Sequence, residues 1–180
     1  QLIKVMINAR RFNQIKMIIG DSWFEGETRL SAVVGESLVT NEKTIGTIES
    51  CTGGFIASKL TEIPGSSAYF KGSLLTYAYE TKISLAKIDR NLLNEVGAVS
   101  KEVCEMMAKN AQDILEVDYC ISSTGIAGPG GGTNEKPVGL VFIGLAKPDG
   151  SVMVEKCQFY GTRQQIVERT SNKALDMLIK

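Results

Sequence analysis

Residues 44–49, Thr-Ile-Gly-Thr-Ile-Glu, are rich in β-branched residues and run straight into Ser50-Cys51-Thr52-Gly53-Gly54, where a helical pattern begins. β-Branched side chains favour a strand, and paired glycines permit a tight exit from it. A strand that turns directly into a helix points to a layered α/β fold. The helix opens at Thr52 or Gly53 and reaches Ile63, where Pro64-Gly65 stops it. A helix over 28–42 precedes the strand, with Leu30, Val33, Val34 and Leu38 on one face. Downstream, the pattern predicts a strand at 68–76, short helices at 78–86 and 89–95, and a long helix over 101–116 capped by Ser100. A strand at 117–123 leads into a glycine-rich loop over 125–137. Strands at 138–147 and 151–160 meet at Pro148-Asp149-Gly150, a hairpin signal, and a helix over 162–179 closes the chain. Helices and strands alternate early and a hairpin comes late. This order predicts a three-layer α/β/α sandwich around a mixed sheet.

Residues 1–27 carry only a strand pattern at 2–8 and a helical pattern at 11–19. One strand and one helix cannot bury their own apolar faces. This stretch reads as the tail of a preceding domain or a linker, with the main domain at 28–180.

Composition narrows the chemistry. Among the 180 residues there is no histidine, which excludes Ser-His-Asp and Cys-His catalysis and His-ligated metals. Lys+Arg and Asp+Glu both number 20, so the net charge is zero; neither direct nucleic-acid contact nor a membrane surface is expected. The apolar runs fall short of a membrane span. Cys51, Cys104, Cys120 and Cys157 form no C-x-x-C pair, so no metal is expected, and reduced thiols in a cytoplasmic protein are the expectation. No cofactor motif is present, and a homodimer is expected.

Four features remain as carriers of chemistry. Ser50 stands where a strand becomes a helix, a natural place for a nucleophile, with Cys51 as its competitor. Gly53 and Gly54 leave the helix start open, so its N–H groups are candidate oxyanion donors. The plain alternative is that Ser50 only caps the helix. Without histidine, a serine needs another base, and a desolvated lysine serves. Lys82 follows a strand expected beside that of Ser50, although position alone does not single it out among the lysines. Thr124 and Gly125 through Gly128 open a stretch to Gly139 that holds six of the 18 glycines, a candidate anion cradle that matches neither a P-loop nor a dinucleotide fingerprint. Arg163, at the head of the final helix, is a candidate phosphate or carboxylate ligand. Together these suggest a small-molecule site for a phosphorylated substrate.

Five motifs recur in order: Glu49-Ser50-Cys51-Thr52-Gly53-Gly54, Pro64-Gly65-Ser66-Ser67, Gly97-Ala98-Val99-Ser100, Thr124-Gly125-Ile126-Ala127-Gly128-Pro129 and Lys136-Pro137-Val138-Gly139. In this the chain resembles the CinA C-terminal domain family, over residues 28–179. The resemblance implies nicotinamide mononucleotide (NMN) deamidase activity, in which the carboxamide is hydrolysed to nicotinic acid mononucleotide and ammonia by a serine and a lysine without metal. Ser50 and Lys82 match the family's serine and lysine, Thr124 and the glycines after it match the substrate loop, and Arg163 matches the arginine after the final strand. The resemblance also implies fusion to an N-terminal CinA domain. Where the family has Tyr-Ser-Asn-Glu before the lysine, this chain has Tyr77-Ala78-Tyr79-Glu80. A non-catalytic nucleotide-binding or interaction module, linked to competence or DNA damage, is the alternative function.

Overall fold

Strand β1, Ile45–Glu49, is buried at all five positions. A strand is buried on both faces only when layers cover both, and the rest of the fold supplies them. The computed structural model describes residues 29–179, so the patterns at 2–8 and 11–19 lie outside the described residues. In chain order the elements are α1 (Leu30–Thr40), β1, α2 (Phe55–Thr61), β2 (Phe70–Leu75), α3 (Tyr79–Ser84), α4 (Arg90–Val96), α5 (Lys101–Leu115), β3 (Tyr119–Gly125), β4 (Leu140–Ala146), β5 (Val152–Gln158) and α6 (Arg163–Asp176).

The sheet order is β2-β1-β3-β4-β5. β1 runs parallel to β2 and β3, whereas β3–β4 and β4–β5 are antiparallel. The connections explain the split. Helical crossovers separate β1, β2 and β3, and a crossover returns the chain in the same direction. The Pro148-Asp149-Gly150 turn is too short for that, and Gly150 takes a φ of 81° to close it. The mixed sheet and the α/β layering are as the sequence predicts.

Alternation along β1 divides the core. Ile45 packs with Val34, Leu38, Ile56, Leu60, Ile166 and Leu175, from α1, α2 and α6. Ile48 packs with Leu93, Val103, Met107 and Ala111, from α4 and α5. A Cβ on Gly46 would stand 2.6 Å from Leu115, so the glycine lets α5 lie close on the sheet.

Some element ends differ from the expected ones. The helix expected from residue 52 begins at Phe55, because Gly53 and Gly54 hold φ of 63° and 93° and cannot continue it. The strand expected at 117–123 begins at Tyr119, because the Asp118 carboxylate accepts hydrogen bonds from Thr44 N and Oγ1 and draws that residue into a turn. The last helix starts after Thr162, whose side chain forms a capping box with Gln165, and ends at Asp176. Ser100 caps α5 as expected, accepting from Val103 N.

Gly139 and Gly150 separate two reasons for glycine. Both have positive φ, but a Cβ on Gly139 would overlap the Phe159 carbonyl oxygen, while one on Gly150 meets open space. Gly150→Ala is expected to cost roughly 1 kcal/mol, the conformational term alone. Gly139→Ala is expected to cost more than roughly 2 kcal/mol, because a rigid backbone clash is added. Urea denaturation of the two variants measures the order.

Candidate active site

The three parallel strands end level with one another. Ser123 O accepts from Ser50 N–H at 3.0 Å, and Glu49 O accepts from Thr76 N–H at 2.8 Å. Ser50 is the first residue past β1, at the carboxyl edge of the sheet, where open α/β sheets bind ligands. Pleating sends Glu49 and Ser50 to opposite faces. Ser50 goes to the face covered by α3, α4 and α5, and Lys82 approaches it there from α3.

The Lys82 Nζ lies 2.9 Å from Ser50 Oγ, 2.6 Å from Thr76 O and 3.5 Å from Tyr77 O. The lysine is 1% exposed and Ser50 8%. Lys82 makes no ion pair among the described residues. Burial draws its amine down from 10.5 to about 8, with Cys51 opposing the shift. About a tenth of the amine is therefore free at pH 7, against a far smaller share for an ordinary lysine. Ser50 is not the helix cap: Gly54 occupies that position, without a side-chain cap. Burial pushes the Cys51 thiol up to about 12 and keeps it protonated, which makes it a poor nucleophile.

The altered residues beside Lys82 do not touch its amine. Ala78 N-caps α3 through its backbone, and Tyr79 OH accepts from Ala98 N–H at 3.3 Å. The amine is held by main-chain carbonyls of Thr76 and Tyr77, which do not depend on the residues at 78 and 79.

A cleft of about 260 Å³ opens over this pair, lined by Ser50, Cys51, Tyr77, Tyr79, Lys82, Ala98, Val99, Thr124 to Gly128, Gly130, Gly131 and Arg163. The Thr124 hydroxyl donates to Ala98 O at 2.7 Å. Gly125 leaves no room for a Cβ, which would stand 2.7 Å from Leu140 O. Arg163 donates through Nη1 to Gly128 O at 2.9 Å and through Nη2 to Tyr77 OH at 2.7 Å. The lining holds two cations, Lys82 and Arg163, and no carboxylate. Thus Ser50, Lys82, Thr124, Gly125, Gly128 and Arg163 converge on one cleft. A larger groove of about 610 Å³ includes Thr44, Asp113, Glu116 and Asp118, at the opposite edge of the parallel strands. It has the wrong charge for an anion and no nucleophile.

Gly53 and Gly54 depart from the expectation. Neither lines the cleft. Gly53 N–H donates to Ser50 O at 3.1 Å, and Gly54 N–H donates to the Glu49 carboxylate at 3.0 Å, so both donors are already engaged. A Cβ on either would meet nothing within 4 Å. The glycines serve the positive φ of the turn rather than close approach. Sequence reasoning missed the Tyr77–Arg163 contact, which spans 86 residues and has no local signature. It also missed the Glu49 carboxylate, whose only signal is an acidic residue at the end of a buried strand.

No helix among the described residues is long and apolar enough to cross a membrane, and no group of three or more His, Cys, Asp or Glu there forms a metal site.

The folded chain binds the Lys82 proton more weakly than the unfolded chain, so the ammonium form opposes folding below about pH 8 by about 3 kcal/mol. That penalty fades as pH rises toward 10.5, the unfolded value. The stability of the wild type relative to Lys82→Met is therefore expected to rise across this interval. Urea denaturation on either side of it measures the difference, and a pH-independent difference means a solvated amine.

A family model described as the CinA C-terminal domain matches residues 27–180. A CinA-like protein of Endomicrobium trichonymphae is 48% identical over 155 residues, covering 86% of this chain and 36% of that protein. A CinA-like protein of a Cyanothece species is 46% identical over 168 residues, covering 92% of this chain and 40% of that protein. The chain thus spans well under half the length of these curated relatives. Among solved structures, the competence/damage inducible protein CihA from Agrobacterium tumefaciens has a TM-score of 0.78 at 35% identity, covering 87% of this chain and 98% of that one. A CinA superfamily protein from Klebsiella pneumoniae has a TM-score of 0.80 at 26% identity, covering 83% and 92%. By sequence and by fold, the chain belongs to the CinA C-terminal domain family.

Proposed function

We propose that the chain hydrolyses the carboxamide of NMN, giving nicotinic acid mononucleotide and ammonia, with Ser50 as nucleophile and Lys82 as its base. The observation that carries this reading is the 2.9 Å contact between Ser50 Oγ and the amine of a buried lysine that lines the cleft. A lysine buried only for packing would be an expensive choice, and one in contact with a hydroxyl at a strand end has a chemical use.

The amine's surroundings suit a base. A neutral amine has two N–H donors and one lone pair. Thr76 O at 2.6 Å and, more loosely, Tyr77 O at 3.5 Å accept the two donors. The lone pair is left for the Ser50 proton. Lys82 takes that proton as Ser50 Oγ bonds to the amide carbon, and the carbonyl oxygen becomes an oxyanion. The tetrahedral species collapses as the C–N bond breaks, and the Lys82 ammonium returns the proton to the departing nitrogen, so ammonia leaves. A water, deprotonated by the same amine, then attacks the Ser50 ester, and the acid and free Ser50 are released.

The rest of the cleft suits the mononucleotide. Its volume is near the lower end of small-molecule sites, about 300 Å³, which favours a compact ligand over a polymer. Arg163 spends two of its N–H donors on Gly128 O and Tyr77 OH, which fixes the guanidinium and leaves the others for a phosphate. Thr124, Gly125 and Gly128 form the wall beside it. Belonging to a family linked to this activity adds to the reading.

Ser50→Ala and Lys82→Met are each expected to lower ammonia release from NMN by at least ~10³-fold. Near-normal release by Ser50→Ala would sink the mechanism. Wild type that gains thermal stability with NMN but releases no ammonia would favour a non-catalytic nucleotide-binding module. The kcat/KM for NMN is expected to rise with pH through an apparent pKa near 8, as the amine loses its proton, and then to level off. A flat profile across that range would remove Lys82 as the base.

A further inference from the structure

We propose that Glu49 is a positioning residue for this chemistry: its buried carboxylate engages the N–H groups at the start of α2 and so holds the Ser50–Gly54 turn with the Cys51 N–H group left over for the oxyanion. The proposal rests on Ser50 being the nucleophile, not on the identity of the amide.

Glu49 is 0% exposed and lies on the sheet face away from Lys82. Its carboxylate accepts from Gly54 N–H at 3.0 Å, Ile56 N–H at 3.1 Å, Ala57 N–H at 2.8 Å and Thr47 Oγ1 at 3.3 Å. No cation pairs with it among the described residues. A buried carboxylate without such donors is strongly disfavoured, and helix-start N–H groups without an acceptor are too. The strand end and the helix start therefore hold each other at one distance and one angle.

The remaining N–H groups of the turn follow. Ser50 N–H donates to Ser123 O, Gly53 N–H to Ser50 O and Phe55 N–H to Thr52 O. With Gly54, Ile56 and Ala57 on the carboxylate, two are left between Ser50 and Ala57. Neither Cys51 N–H nor Thr52 N–H meets an acceptor among the described residues, and of the two residues only Cys51 lines the cleft. Cys51 lines the cleft while its thiol belongs to the apolar core, so its contribution to the cleft is main chain. The N–H of the residue after a nucleophilic serine is a natural oxyanion donor in a strand-to-helix turn. A second tie fixes the turn, because Thr52 Oγ1 lies 2.6 Å from Ser123 Oγ.

The test uses the full chain and phenylmethanesulfonyl fluoride, a probe independent of NMN. Ser50 Oγ bonds to the sulfonyl sulfur, fluoride leaves, and Lys82 takes the serine proton; intact mass gives the rate. Glu49→Gln keeps the shape but replaces acceptor oxygen by a donor. It is expected to slow Ser50 labelling about a hundredfold and to lower kcat for NMN in parallel, with KM within about twofold. The apparent pKa of labelling is expected to stay near 8, because Glu49 acts through the turn and not on the amine. A folded Glu49→Gln labelled at the wild-type rate, or one that loses only KM, overturns the proposal. Should Glu49→Gln fail to fold, Thr47→Val removes one donor from the carboxylate. A several-fold slower labelling supports the proposal and an unchanged rate overturns it. Wild type labelled at Ser50 but inactive on NMN overturns the substrate named above, while the labelling rates still decide the role of Glu49. Wild type that is never labelled overturns both.

Discussion

A lysine amine buried under the carboxyl edge of three parallel strands is the constraint on which the site turns. Water cannot solvate it, so the protein must supply its partners. It does so with two main-chain carbonyls and one hydroxyl. Burial also weakens the amine's hold on its proton, which brings its titration down to about 8. That arrangement requires β1 and β2 to be adjacent and parallel, and α3 to follow β2 at once. The sheet order is thus part of what builds the Ser50–Lys82 contact.

The turn after β1 has the complementary task. Pleating sends Glu49 and Ser50 to opposite faces, so one strand end serves two layers. On one face the carboxylate ties down α2; on the other the hydroxyl meets Lys82. Gly53 and Gly54 allow the chain to pass from strand to helix through positive φ, and their N–H groups bind within the turn. The cleft itself is positive because Lys82 and Arg163 stand in it without a carboxylate. A chain of zero net charge can still present a local anion site when its acids face other ways.

Much of the fold was legible because its signals are local. The β-branched run before Ser50, the Pro148-Asp149-Gly150 turn and the Ser100 cap each state their element within a few residues. The ends of elements were less legible. Asp118 is drawn out of β3 by Thr44, a residue 74 positions away, and no window of sequence contains both. In the sequence the glycines at 53 and 54 suggest open space, whereas their positive φ angles are the reason for them.

The absence of histidine, the strand-to-helix exit at Ser50 and the layered α/β class follow from the sequence by itself, because composition and short-range periodicity are local properties. That Lys82 rather than another lysine meets Ser50, that Thr76 and Tyr77 hold its amine, that Tyr77 braces Arg163, and that Glu49 rather than a substrate occupies the start of α2 were decided only by the tertiary structure. A pKa shift and a hydrogen-bond partner both depend on what surrounds a side chain. Those surroundings come from strands and helices that are far apart in the chain and adjacent only once the sheet has formed.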